Sequence, residues 1–277
     1  MLAAALAAAH EEVGGGQPPW RLVPCGCDPG VDAMVALAAR PGDQRVLSTC
    51  TPVFLQAPLL RGMNLTHRRL TPIARLVADR YLLVARADAQ WKTAADFLAD
   101  VGRRPTRTGG YFKGGINHLL ALAIADAAGA EVEFVVVASE PAVWVELMTG
   151  RLDWGCGVAA EVLPHVEAGA LRAVAALNDK RLPGFPDVPT LAEAGAPVTF
   201  SLWRGLIGPP DIRNEDQARW HSEIGRLRET QAWRTYLERN SQTDDFLAGD
   251  PFKAFLESEW SWYERNLGLA GLLPARA

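Results

Sequence analysis

Lys180-Arg181-Leu182-Pro183-Gly184-Phe185-Pro186-Asp187-Val188-Pro189-Thr190-Leu191 is the stretch on which the reading of the fold turns. It leaves an apolar, strand-like run at 171–177 and leads toward a second apolar run at 198–207. Proline fixes φ and removes a backbone donor, so the spaced prolines and the glycine specify a rigid, shaped connector rather than chemistry. A connector of this kind, placed two thirds along the chain, marks the point where the polypeptide turns back from one half of the molecule to the other.

Working outward, residues 20–24 read as a strand and 32–40 as a helix closed by Pro41-Gly42. Residues 45–51 read as a second strand, stopped by Pro52. Short apolar strands alternating with helices are the pattern of a parallel sheet wrapped by helices. A longer extended run at 76–87, broken by Asp79-Arg80, is the crossover into a second domain, because a new βα series begins after it. In that series 93–101 is helical with Thr93 as its cap, and a glycine-rich loop at 109–115 opens a helix at 117–128 that Gly129 ends. Residues 131–137 are β-branched and apolar, which predicts a buried strand. Ser139-Glu140-Pro141 opens the next helix and Gly150 closes it; 152–155, 160–168 and 171–177 follow as strand, helix and strand. Residues 198–207 return the chain, and helices at 215–228, 232–239 and 252–267 complete it. The expectation is two α/β domains, 1–78 with 203–277 and 79–202, each a mainly parallel sheet flanked by helices.

Composition narrows the function. With 277 residues, 49% hydrophobic and 22% charged, the chain has the make-up of a globular protein with ample core. A net charge of -4 argues against a nucleic-acid binder. Cys25, Cys27, Cys50 and Cys156 are too few for a disulfide scaffold, and Cys25-Gly-Cys27 lacks the spacing of a zinc or redox pair. The histidines, at 10, 67, 118, 165 and 221, form no metal-ligand spacing, so neither metal nor cofactor is expected. Nucleophile elbow, phosphate loop, dinucleotide fingerprint and zinc signature are all missing from the sequence, which favours a binding protein over an enzyme.

The connector, the upstream Glu161-Val162-Leu163-Pro164-His165-Val166-Glu167-Ala168-Gly169-Ala170-Leu171-Arg172, and Thr71-Pro72-Ile73-Ala74-Arg75-Leu76, Trp203-Arg204-Gly205 and Pro209-Pro210 occur in an order that resembles one family. It is that of the tripartite tricarboxylate transporter solute receptors, the Bug-type extracytoplasmic binding proteins. The resemblance implies a type II periplasmic-binding-protein fold with a ligand cleft between the domains. It also implies a monomeric periplasmic receptor that closes over a small carboxylated solute and delivers it to membrane permease subunits, without a covalent step. A ligand-sensing partner of a signalling protein would use the same cleft, as would a hydrolase or isomerase.

Thr108-Gly109-Gly110-Tyr111-Phe112-Lys113-Gly114-Gly115-Ile116-Asn117-His118 is the leading candidate site. Glycines let backbone approach a ligand closely, and the helix behind them offers unpaired N–H groups and a positive dipole end suited to a carboxylate. Thr108, Gly109, Gly110, Lys113, Gly114, Gly115 and Asn117 are the expected contacts, with Tyr111 or Phe112 as a wall. A glycine turn without ligand fits the residues equally; the resemblance, which implies ligand contact at this loop, favours the site. The family's loop is richer in Gly, Ser and Thr, so Tyr111-Phe112-Lys113 departs from it. By the same resemblance Thr49 and Thr51, at a strand end, and Cys156, Gly157 and Val158, in a small-residue loop, are candidate contacts; ordinary hydroxyls and close packing are the plain alternatives. Arg204 is a candidate for fixing a carboxylate in bidentate fashion, against a structural role beside Trp203. His118 and Asp153 read as structural.

The first ten residues are apolar and alanine-rich but lack a basic n-region, so they read as the tail of an amphipathic helix and carry no export signal. In the family that helix follows a signal peptide, a strand and a ligand loop. The expectation is that the natural gene begins upstream of Met1 and encodes them.

Overall fold

The computed structural model describes residues 2–13, 20–24, 30–240 and 242–274, with Glu140 described in its backbone alone. Cys25 and Cys27 lie outside the described residues. The chain divides into two compact units. Unit 1 comprises Met1–Ala78, Trp203–Arg265 and Leu273–Ala277; unit 2 comprises Asp79–Leu202 and Asn266–Leu272.

Unit 1 begins with α1 (Leu2–Val13), whose alanines favour helix and whose Leu2, Leu6 and Ala9 are buried along one side. They join Ile73, Ala74, Leu76, Val77, Leu206, Ile224, Leu227 and Trp233 in one core. At its far end Glu12 accepts from the backbone N–H groups of Gln231 and Ala232, both at 2.8 Å, and so caps α9 (Gln231–Arg239). Those two bonds hold the Glu12 carboxyl below its ordinary range. Next come α2 (Val31–Ala38), β1 (Ser48–Cys50) and α3 (Val53–Arg61). α8 (Asn214–Leu227) and α10 (Asp250–Leu269) complete the helices of this part of the chain.

The central strand is β2, Thr71–Arg86, sixteen residues long and buried almost throughout. Burial on both faces removes the polar–apolar alternation, which is why its second half reads as a continuous extended run. Residues 74–78 of β2 pair antiparallel with β8 (Thr243–Ala248). β7 (Ser201–Gly208) lies between β2 and β1 and runs antiparallel to β1. The glycine of Trp203-Arg204-Gly205 has a steric cause: a Cβ at Gly205 would stand 2.5 Å from the Ala74 carbonyl oxygen.

In unit 2, residues 81–86 of β2 pair antiparallel with β5 (Trp154–Val158) and β6 (Leu171–Ala176). β3 (Thr106–Gly110) and β4 (Val132–Val136) form a parallel pair. The helices are α4 (Ala94–Val101), α5 (Ile116–Ala128), α6 (Glu140–Met148) and α7 (Ala159–Glu167). Leu82, Val84, Val143, Trp144, Leu147 and Val162 centre the core. Thr93 caps α4 as expected, in a reciprocal capping box: Thr93 Oγ1 accepts from Asp96 N–H at 3.1 Å and the Asp96 carboxylate accepts from Thr93 N–H at 3.0 Å. Parallel pairing holds for β3–β4, whereas β5 and β6 run antiparallel to β2.

The proline-rich connector is pinned as its chemistry requires. Ala176 N–H donates to the Pro189 carbonyl at 2.8 Å and Leu191 N–H to the Ala176 carbonyl at 2.9 Å, a single parallel bridge at the end of β6. Arg181 grips both oxygens of Glu193 at 3.2 and 3.0 Å, and Glu193 in turn caps Thr190 N–H at 2.9 Å.

Three local readings are corrected. Residues 20–24 form no strand. β4 is half-exposed rather than buried, with Val136 53% exposed, because its pairing is with β3 alone among the described residues. α3 and β8 were not anticipated.

Candidate functional site

The β3–α5 turn is built by glycines with two different tasks. Gly109 and Gly110 end β3, and both are buried. A Cβ on Gly109 would stand 2.9 Å from the Val135 carbonyl; one on Gly110 would stand 2.9 Å from Asn117 Cβ and 3.0 Å from Phe134 Cζ. These two glycines let the strand close on its neighbours. Gly114 has φ +88°, the left-handed region that favours glycine, and Gly115 is the N-cap of α5. The turn thus puts the first helical amides of α5, which have no intrahelical acceptors, behind residues 111–115.

Around that terminus, Tyr111 and Phe112 are 54% and 44% exposed, their ring centroids 4.4 Å apart in an edge-to-face arrangement. The Phe112 ring lies against Gly115, where a Cβ would meet Phe112 Cζ at 2.9 Å. Lys113 is exposed beside them, while Thr108 and Asn117 are buried. His118 is buried and accepts from Gly114 N–H through Nδ1 at 2.9 Å, with its ring 4.5 Å from that of Phe134. Desolvation lowers its pKa, with Lys113 adding to the effect, so the ring is neutral and pins the turn. The structural reading of His118 therefore holds.

β5 stands beside β3 at their starts. Trp154 Nε1 donates to Thr106 Oγ1 at 2.9 Å, and the Asp153 carboxylate accepts from Arg107 N–H at 2.8 Å. At the other end of β5, Cys156 and Gly157 are buried and Val158 is the N-cap of α7. A Cβ at Gly157 would collide with the Trp144 indole. Close packing against Trp144 accounts for that glycine without a ligand. Cys156 is a buried thiol outside any disulfide.

Unit 1 holds the remaining candidates, and the Thr51 hydroxyl serves the backbone. Thr51 Oγ1 accepts from Val53 N–H at 3.4 Å as α3 begins, and Ser48 Oγ donates to the Thr49 carbonyl at 2.9 Å. Thr49 also borders a cavity of about 680 Å³ with Leu6, Trp20, Leu206, Arg219 and Trp220. None of the other candidate residues lines that cavity. Burial pushes the Cys50 thiol pKa well up, which makes it unreactive. Arg204 is half-buried on β7.

Sequence reasoning missed Glu259. Its Oε2 accepts from Trp203 Nε1 at 2.8 Å, and burial pushes its pKa up to about 7. It missed His67 as well, buried with Nε2 3.0 Å from Glu257 Oε1, while Arg68 clasps both oxygens of the same carboxylate. Neither residue carries a motif, so only tertiary packing reveals them. Among the described residues, no cluster of three or more His, Cys, Asp or Glu gathers as a metal would require.

The family model described as "Tripartite tricarboxylate transporter family receptor" matches residues 30–244. The chain belongs to that family. Its receptors bind substrate and are not an enzyme family. Among curated relatives, protein BugT of Bordetella pertussis is 29% identical over 191 residues, covering 65% of this chain and 56% of that one. The chain spans about half the length of the curated relatives it matches. Among solved structures, a solute-binding protein of this receptor family from Polaromonas superposes with a TM-score of 0.89 at 24% identity, covering 96% of this chain and 92% of its own. A Rhodopseudomonas palustris protein with adipate superposes with a TM-score of 0.70 at 22% identity, covering 99% and 93%. These superpositions establish the periplasmic-binding-protein fold of the receptor family.

Proposed function

We propose that this chain is a periplasmic solute receptor that captures a small carboxylated molecule and passes it to the permease of a tripartite tricarboxylate-type transporter. The observation that carries the reading is the family match across 30–244, which encloses every candidate residue, Thr49 through Arg204. The two compact units serve as the two domains of the receptor, and the chain acts as a monomer. The adipate in the Rhodopseudomonas palustris relative is consistent with a carboxylate ligand.

The ligand contacts we assign are those around the β3–α5 turn, led by Lys113, Gly114 and Gly115, with Thr49, Thr51, Thr108, Gly109, Gly110, Asn117, Cys156, Gly157, Val158 and Arg204 as the wider set. A helix N-terminus contributes about 0.3–1 kcal/mol toward an anion, up to ~2 when partly buried. Micromolar affinity needs roughly 8 kcal/mol. Direct hydrogen bonds and burial of the solute must supply most of the difference, so a single turn does not suffice. Binding and release then complete the cycle without a bond being made or broken in the solute.

A thermal-melt screen against mono-, di- and tricarboxylates, aromatic acids and amino acids tests this. One carboxylate class raising a cooperative melt supports the receptor. A cooperative melt that only non-carboxylates shift, or chemical turnover of a bound acid, overturns it.

A further inference from the structure

Resting on the reading that the β3–α5 turn takes a carboxylate, we propose that Tyr111 and Phe112 are its specificity wall. They would select an acid whose carboxylate is attached to a flat apolar body, an aromatic acid, over a short aliphatic di- or tricarboxylate.

The two rings are 54% and 44% exposed at the mouth of the turn. They are held rather than loose. Phe112 lies on Gly115, at a distance that leaves no room for a Cβ, and Tyr111 meets Phe112 edge to face with centroids 4.4 Å apart. His118 Nδ1 fixes the turn below them through Gly114 N–H at 2.9 Å, and Leu272 packs against Gly114 from another side. Exposed aromatic rings fixed by their neighbours have little rotamer freedom left to lose on binding, which favours a ligand that covers them.

Charge says what the ligand carries at its other end. Lys113 stands in the same turn and the first-turn amides of α5 lie behind it, so the positive potential is within one short side chain of an apolar surface. An aliphatic dicarboxylate would set its second charge against two rings that offer it no cation of their own. A benzoate-like acid matches both halves: anion toward Lys113 and α5, ring toward Tyr111 and Phe112. Buried ring contacts of this type contribute about 0.5–1.5 kcal/mol beyond their area, which converts to about tenfold in affinity for the pair.

The test is isothermal titration with benzoate and succinate on the wild-type chain, on the Tyr111→Ala/Phe112→Ala double variant and on Lys113→Gln. Both rings are about half exposed, so the double variant should lose no more than a few degrees of melting midpoint with the Phe112–Gly115 contact, checked by circular dichroism. The proposal expects benzoate to bind at least tenfold tighter than succinate, the double variant to bring that ratio close to one, and Lys113→Gln to weaken both acids while preserving it. Succinate binding as tightly as benzoate to the wild type, or a ratio that survives loss of both rings, overturns the wall and leaves the carboxylate reading standing. Failure of every carboxylate in the wider screen overturns both.

Discussion

The strand-to-helix turn after β1 and the one after β3 were both expected to touch solute, and they use their polar groups in opposite ways. After β1, Thr51 serves Val53 N–H and Ser48 serves the Thr49 carbonyl, so hydroxyls that look available in sequence are spent on local backbone. After β3 the fold is made by glycines, and Tyr111, Phe112 and Lys113 stand exposed. The same contrast extends to the surroundings. Unit 1 ties Trp203 of β7 to the Glu259 carboxyl, while unit 2 closes Gly157 against an indole. A threonine near a strand end is weak evidence of a site, because capping its own chain is the commoner use. An exposed side chain on a glycine-built turn is stronger evidence, because the fold does not require it.

Four measurements can break or sharpen this contrast. The largest effect should come from unit 1. Burial pushes the Glu259 carboxyl up to about 7, from an ordinary value of 4.5. Below about pH 4.5 both folded and unfolded chains are protonated there; as pH rises toward 7 the unfolded chain ionises first, so stability is lost across that window. At 1.36 kcal/mol for each tenfold change in proton affinity, the loss is roughly 3 kcal/mol. Chemical unfolding followed from pH 4.5 to 8 should show that decline, and Glu259→Gln should flatten it; an unchanged slope would mean the carboxylate is not buried. Next, Gly157→Ala should cost about 2 kcal/mol by driving a methyl into Trp144, and the added substitution Trp144→Leu should return part of it in a double-mutant cycle. Strict additivity would separate the two residues.

Gly114→Ala should cost about 1 kcal/mol of stability from its positive φ alone, and should weaken carboxylate binding because the turn loses its shape. A full-affinity variant would remove this turn from the site. The smallest effect is expected at Thr51→Ala: about 0.5 kcal/mol or less of stability, since the bond it loses is long at 3.4 Å, with carboxylate affinity lowered only about two- to threefold, as for an outer contact. A tenfold loss of affinity there would restore the β1 turn to equal standing.

Much of the fold was legible, for identifiable reasons. Thr93 and Asp96 spell out a capping box, and Gly129 marks the end of α5 in the left-handed region. The proline connector announces its own rigidity. Legibility failed where tertiary partners overrule local signals. α3 tolerates Pro58 in its interior, which a sequence pattern treats as a stop. β8 carries Asp244 and Asp245, poor strand residues that Arg228 and Arg75 satisfy at 2.8 Å from distant parts of the chain. Residues 20–24 have strand composition but pair with no strand among the described residues, and a strand without a ladder is not one. At the candidate site, the glycines and aromatic residues were visible at once. Their division into packing glycines and turn glycines was not, because it depends on Phe134, Val135 and Leu152 coming close.

β2 carries one last consequence, for anyone who would dissect the protein. The boundary between the two units falls at Ala78 and Asp79, inside a single sixteen-residue strand that β8 borders on one half and β5 and β6 on the other. A split or a permuted terminus placed there would give each fragment a stub of strand with a raw end buried in a sheet. The natural place to partition the molecule in space is therefore a poor place to cut the polypeptide. Fragment expression, split reporters and inserted tags belong instead in surface turns such as the one at Gly129.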